Sequence, residues 1–432
     1  MNRKSGAFLL LISLFLVGSV YFWQRSPKVT LTLGVFAGSN WDVPSGNSYK
    51  VIDEAIERFE KKHPNVEIKY DSGILKGNYS QWLSEKVVLG KVPDIFMVLS
   101  EDFNTLSSLG AMKELDSLIE KDADFNKQAY YQSAIQSGVY QKEQYALPYE
   151  SNPTLMFVNK TLLEKEGIEI PKNDWTLTDF YQIAQEITKD SDGDGRIDQY
   201  GYYDYDWLDS IFAHGAQLFD EEGEQCFINQ TSVKDSIHFL EKLQQLNRGY
   251  LVSADDFDQG VVAFAPMQLS QYRTYKPYPW RVKKYSNFEW DCLQMPKISD
   301  DQGHSQTSTL LMGLSAYTQQ EDLSWEFLKM LCYDESIQQS LIAYSQGISP
   351  LKKVTKSEQM TSLINAEGED SMVNLDLLNE VMADTVNHGQ FKKYQSALNL
   401  IDTKLQQLMN TNEDLDITLI TLQNEIDQYL KE

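Results

Sequence analysis

The chain has 432 residues, with 38 Lys plus Arg against 63 Asp plus Glu, for a formal net charge of −25. A charge of that sign argues against nucleic acid or an anionic membrane surface as a partner, because the phosphate contribution to such affinity would be repulsive. The length implies two domains, and three cysteines, Cys226, Cys292 and Cys332, are too few for a disulfide scaffold, so packing must supply the stability.

Arg3 and Lys4 precede an uncharged, mostly apolar run over 6–23, the order of an export signal, so 1–27 is expected to be an export signal or a membrane anchor. Val17-Gly18-Ser19 would serve a signal peptidase, yet the run is also about long enough to span a bilayer. The same place has the shape of a lipoprotein cleavage box with Ser19 where the lipid-bearing cysteine would stand, so no lipid attachment is expected.

Alternation of Val29, Leu31, Leu33 and Val35 with small polar residues predicts a strand. After a polar loop over 36–48, Val51, Ile52, Ala55, Ile56 and Phe59 share one helical face that His63-Pro64 ends, and 66–70 reads as a second strand. A helix carrying Trp82, Leu83 and Val87 leads to a third strand over 92–98. Strand, helix, strand, helix, strand implies a parallel sheet with helices on its faces, in which ligands sit beyond the carboxyl ends of strands, here at the loop 36–48. A second α/β unit is expected from about 150, with a strand over 154–158 and helices over 161–167, 176–188, 207–217 and 231–247. A strand over 310–316, helices over 324–331 and 334–346, and an almost wholly helical tail over 373–432 complete the pattern.

Zinc-protease, phosphate-loop and Gly-x-Ser-x-Gly signatures are all missing, which favours binding over catalysis. Aromatic residues make up 12% of the chain and cluster as Tyr200, Tyr202, Tyr203, Tyr205 and Trp207, and as Tyr272, Tyr275, Tyr278 and Trp280. Such rings offer a flat apolar face and, for Tyr and Trp, a polar edge, which suits a sugar; core packing is the competing use. The sharpest local motif is 190–198, where Asp190, Asp192, Asp194 and Asp198 alternate around Gly193, Gly195 and Arg196. That pattern suits a hard cation such as calcium, in a structural role, although Gly201 stands where an EF-hand places its bidentate glutamate; the alternative is an acidic turn without a metal.

In order along the chain, Val92-Pro93-Asp94-Ile95-Phe96, 109–116, Tyr145-Ala146-Leu147-Pro148, 158–163, Gly167-Ile168 with Pro171 and Trp175, Tyr200-Gly201, 257–264 and 324–328 resemble the solute-binding proteins of ABC sugar importers, family 1, which are maltose-binding-protein-like. The resemblance departs at Met267-Gln268-Leu269-Ser270-Gln271-Tyr272, which replaces the usual Gly-x-Trp. It implies an α/β, type II periplasmic-binding-protein-like fold: two lobes, a hinge and a helical C-terminal tail. Lobe one would be 28–151 plus 311–355 and lobe two 152–310 plus 356–432, with crossings near 151–154, 307–311 and 350–360. The ligand would lie between the lobes. On that reading Trp207 and Tyr272 stack on the ligand with Trp41, and Glu150 and Asn152 in the first crossing anchor its hydroxyls. Arg273 suits an acidic substituent, and Thr307 and Ser308, with His304, flank the second crossing. Relatives with a similar acidic loop imply Gln199 as a further calcium ligand. The expected function is capture of an oligosaccharide by a monomer that closes on it and presents it to ABC importer membrane subunits, with no covalent step. Two alternatives stay open: a membrane-tethered sugar sensor read by a signalling receptor, and a glycan hydrolase or lyase using two carboxylates.

Overall fold

The computed structural model describes residues 28–44, 49–276, 287–299, 302–365, 371–386, 389–411 and 413–432; the segment 1–27, expected to be an export signal or anchor, and the rings Tyr278 and Trp280 lie outside them. In chain order the described strands are β1 Val29–Gly34, β2 Val66–Tyr70, β3 Ile95–Val98, β4 Val139–Tyr140, β5 Glu143–Gln144, β6 Ala146–Asn159, β7 Tyr200–Tyr202, β8 Val262–Gln268, β9 Trp290–Leu293, β10 Ser305–Leu314 and β11 Thr385–Val386. Strands β4 and β5 pair only with each other, and the remaining nine form one sheet in the order β2-β1-β3-β10-β6-β8-β7, with β11 beside β10 and β9 beside β6.

The first half of that sheet follows the expected parallel logic. β1 pairs parallel with both β2 and β3, and the helices Lys50–Lys62 and Lys76–Val88 make the crossovers. Lys50–Lys62 is helical because Val51, Ile52, Ala55 and Phe59 recur on one face and are buried there; it stops at His63, whose amide caps Phe59 before Pro64 bars a further turn. β8 pairs antiparallel with β6 over 154–158 and parallel with β7, forming the second half, whose core gathers Met156, Phe180, Phe264 and Leu293. The two halves are the two lobes of a mixed α/β fold.

Two long strands cross between them. β6 runs for fourteen residues, all but one of them buried, and β10 for ten. They pair antiparallel from Thr307↔Pro153 to Gly313↔Ala146, with a bulge between Leu310 and Leu311. β10 meets β3 over 311–314 and β11 over 305–306, while β6 passes from β10 to β8 over 153–154. β10 begins earlier than the apolar run over 310–316 suggests, because its first half is polar: Ser305, Thr307 and Thr309 are buried, and Thr309 shares a 3.1 Å hydroxyl contact with Ser151 across the pair.

The tail is helical but serves two places. Tyr394–Met409 and Leu415–Lys431 bury Leu398, Ile401, Leu422 and Ile426 with Ile211 and Ile237 of lobe two. Helix Leu375–Ala383 instead buries Leu377, Leu378, Val381 and Met382 in the large cluster that contains Tyr131 and Ala134, and Tyr131 hydrogen-bonds Asn379. The helix Leu375–Ala383, expected in lobe two, therefore packs on lobe-one elements, whereas Ser371 and Met372 just before it stay with lobe two, hydrogen-bonded to Tyr272 and Asp291. Apolar spacing predicts a buried helical face but not which core receives it.

Candidate ligand-binding site at the interlobe hinge

Side chains alternate across paired strands, so the hinge ribbon presents two faces. On one stand Glu150, Asn152 and Ser308; on the other stand Ser151, Thr307 and Thr309.

The Glu150 face is closed. The carboxylate is buried and accepts from Trp41 Nε1 at 2.7 Å, from the Gly347 amide at 2.7 Å and from the Ser345 hydroxyl. A Cβ on Gly347 would lie 2.3 Å from Glu150 Oε1, so only glycine allows that approach. Burial pushes the Glu150 carboxyl above its usual range, opposed by Ser345, Trp41, the Gly347 amide and the charge of Arg273. Arg273, from the helix Leu269–Tyr275 of lobe two, donates to the carbonyls of Gly347 and, at 2.7 Å, Ile342. Trp41, Glu150 and Arg273 thus converge, as a contact between lobes. Asn152 is fully buried and satisfied: its amide donates to Gln268 at 2.9 Å and Ser270 at 3.0 Å, and its carbonyl accepts from the Ser270 amide at 2.9 Å. Ser308 stands opposite Asn152, half-buried.

The opposite face opens into a groove of about 290 Å³. Lobe one contributes Ser100, Glu101 and Asn104 from the start of helix Ser100–Ser108, directly beyond the carboxyl end of β3; the hinge contributes Thr307 and Thr309; and 389–396 closes the far side. Asn104 Nδ2 donates to the Gly389 carbonyl at 3.1 Å, joining the rims, and Ser100 donates to the Thr309 carbonyl at 3.1 Å. Two polar atoms here have no partner among the described residues: Thr307 Oγ1, on a residue only 3% exposed, and Asn104 Oδ1. Buried polar atoms are ordinarily paired, and these two orphans belong to residues that line the groove.

Other expected site residues lie elsewhere. Trp207 packs between the second-lobe core and the C-terminal helices, with Nε1 on Asp402 at 2.8 Å. Tyr272 is completely buried, edge-on to Trp290 at 5.8 Å, with its hydroxyl 2.5 Å from Ser371. Neither ring faces the groove. Both were expected at the cleft, but each buries its apolar body and finds a protein partner for its polar tip, the competing use of such residues.

In the acidic loop, carboxylate oxygens of Asp190, Asp192 and Asp194 lie within 4.8 Å of one another. Asp190 accepts from the amides of Gly193 and Gly195, each at 2.7 Å, and those amides, Gly195 foremost, hold its carboxyl below the ordinary range. Arg196 enters through its amide, which donates to Asp194 at 2.8 Å. Asp198 instead accepts from the Ser191 amide and hydroxyl at 2.8 and 2.9 Å. Gln199 is buried, donating to Glu166 at 3.1 Å and to the Ile187 carbonyl at 3.0 Å and accepting from Lys165 at 3.2 Å. The three converging carboxylates are a donor set that fits a hard divalent cation.

Sequence reasoning missed Ser100, Glu101 and Asn104. The signal existed: the carboxyl-end rule that selected the loop after β1 applies equally to β3. The contribution of 389–396 had no local signal, because only the fold returns that segment to the hinge.

A family profile described as bacterial extracellular solute-binding protein matches residues 44–334. The galactooligosaccharide-binding protein of Bacillus subtilis (strain 168) is 22% identical over 299 residues, a match that spans 66% of each chain. Among solved structures, an ABC substrate-binding protein from Listeria monocytogenes in complex with cycloalternan aligns with a TM-score of 0.69 at 19% identity, covering 94% of this chain and 99% of the other. The cyclic alpha-maltosyl-1,6-maltose binding protein from Arthrobacter globiformis aligns at 0.76 and 13% identity, covering 94% of this chain and all of its own.

Proposed function

Because the chain belongs to the bacterial extracellular solute-binding protein family, we propose that it captures an oligosaccharide between its lobes and presents the closed form to the membrane subunits of an ABC importer. The observation that carries this reading is the groove beside the hinge ribbon, where Thr307 Oγ1 and Asn104 Oδ1 stand unpaired between residues of both lobes. Ligand groups that contact both rims select the closed arrangement, so affinity and closure are linked. The saccharides named for the relatives support an oligosaccharide as ligand. No covalent step is involved, and the receptor works as a monomer. The apolar run 6–23 holds it at the outer face of the cytoplasmic membrane, and Asp190, Asp192 and Asp194 hold a structural calcium ion.

A thermal-shift screen of galacto- and malto-oligosaccharides, linear and cyclic, followed by calorimetry of Thr307→Val, tests the site. One lost hydrogen bond of about 1 kcal/mol should weaken the best ligand roughly five-fold with little change in the melt of the free protein. Unaltered affinity in both Thr307→Val and Asn104→Ala would remove the groove as the site. For the cation, chelation should lower the melting temperature and Asp192→Asn should abolish that response; a melt indifferent to chelator refutes calcium.

A further inference from the structure

We propose that the end of lobe one opposite the groove rests on the lipid bilayer, with Val88, Leu89, Leu109 and Tyr317 as its contact; this rests on the reading that the apolar run 6–23 stays as an anchor. In parallel β1, β2 and β3 the amino ends share one edge of the sheet, and antiparallel β10 brings its carboxyl end to the same edge. The Ser315 amide donates to the Asp94 carbonyl at 2.9 Å and the Ala316 amide to the Ala111 carbonyl at 3.0 Å, so the turns before β3, after helix Ser100–Ser108 and after β10 meet there. Helices Lys76–Val88 and Ser100–Ser108 each lead back to this edge, the first into β3 and the second to the turn at Ala111, and Ser80 donates to Asp102 between them at 2.6 Å.

Four large apolar side chains are exposed at this edge: Val88 is 86% exposed, Leu89 65%, Leu109 60% and Tyr317 57%. Leucine and valine at helix ends, beside a tyrosine, have the composition of a membrane-interface contact.

The covalent connection selects the occupant. The described chain starts at Lys28, the amino end of β1, and only four residues, Gln24-Arg25-Ser26-Pro27, separate it from the end of the apolar run at Trp23. Four extended residues span at most about 14 Å. An anchored chain therefore holds this edge against the headgroups at high effective concentration, which offsets the repulsion expected from the net charge. Lys28, Lys86, Lys91 and Lys113 lie at the same edge and are balanced by Glu67, 3.1 Å from Lys28, by Glu85, by Glu321, which pairs with Lys113, and by Asp322, so the tether rather than local charge holds the contact.

The test uses the full chain in vesicles of phosphatidylcholine and phosphatidylglycerol. The native cysteines are all buried, so an environment-sensitive fluorophore can be placed selectively at Leu89→Cys or Leu109→Cys, with Leu251→Cys as the control, since Leu251 is 89% exposed on lobe two. Labels at 89 and 109 should shift to the blue and lose roughly half their emission to a headgroup-proximal lipid quencher, while the label at 251 keeps its emission. A chain that does not float with the vesicles overturns both the anchor reading and this contact. A chain that floats with neither 89 nor 109 quenched, or with 251 quenched equally, overturns the contact alone. Blue-shifted labels that lipid quenchers leave untouched would assign the patch to a second copy and also overturn it.

Discussion

Glu150 is the most consequential single side chain on the hinge ribbon. Its buried carboxylate organises the Trp41 indole, the Ser345 hydroxyl and the Gly347 amide at one point. Glu150→Ala would leave these donors buried without an acceptor and should destabilise the protein by about 3 kcal/mol, read as a lower melting temperature. Glu150→Gln keeps an oxygen in place and should cost less than about 1 kcal/mol at neutral pH. The pH dependence separates charge from shape. Burial raises the folded-state pKa of this carboxyl above 4.5, so its contribution is fully present below 4.5 and is lost as pH rises through the folded value. The Glu150→Gln melt should therefore gain on the wild type as pH rises from 4.5 to 7; a constant difference would mean the burial penalty is absent.

At the scale of elements, the start of β10 is tied to the turn before β11 by His304, whose Nδ1 lies 3.1 Å from Asp384 Oδ1, and by Lys297, 2.7 Å from Asp384 Oδ2. The Asp384 carboxylate raises the His304 pKa above 6.5, so this contact stabilises fully below 6.5 and loses its contribution as pH rises through the folded value. His304→Asn should lower the melting temperature at pH 6 and have little effect at pH 9; equal losses at both values would show that packing alone matters. The elements themselves were largely legible. The alternation in β1, the helical face over 51–59 and the stop at His63-Pro64 are local signals, and local signals survive folding. What escaped was non-local: whether Trp207 and Tyr272 face a groove or a core depends on Asp402 and Ser371, 195 and 99 residues further along. Thr307 was legible as a hinge residue because the family resemblance puts a crossing at 307–311, whereas Asn104 needed the fold to bring Gly389 beside it.

For the molecule as a whole, Arg273 is the cross-lobe clasp, reaching from lobe two to the Gly347 and Ile342 carbonyls. Arg273→Ala should widen the angle between the lobes, seen as a larger radius of gyration in small-angle scattering, and saturating saccharide should reverse most of the expansion. An unchanged scattering profile with and without ligand would contradict closure as the working motion. The paired crossing of β6 and β10 also bears on how the chain is made. Ser151 and Thr309 meet across the ribbon from positions 158 residues apart, so its closing contacts carry a long loop-formation entropy. Neither half can complete its sheet until almost three quarters of the polypeptide has left the ribosome. A nascent chain that cannot finish folding early remains threadable, which is the condition a secretion channel imposes on its cargo.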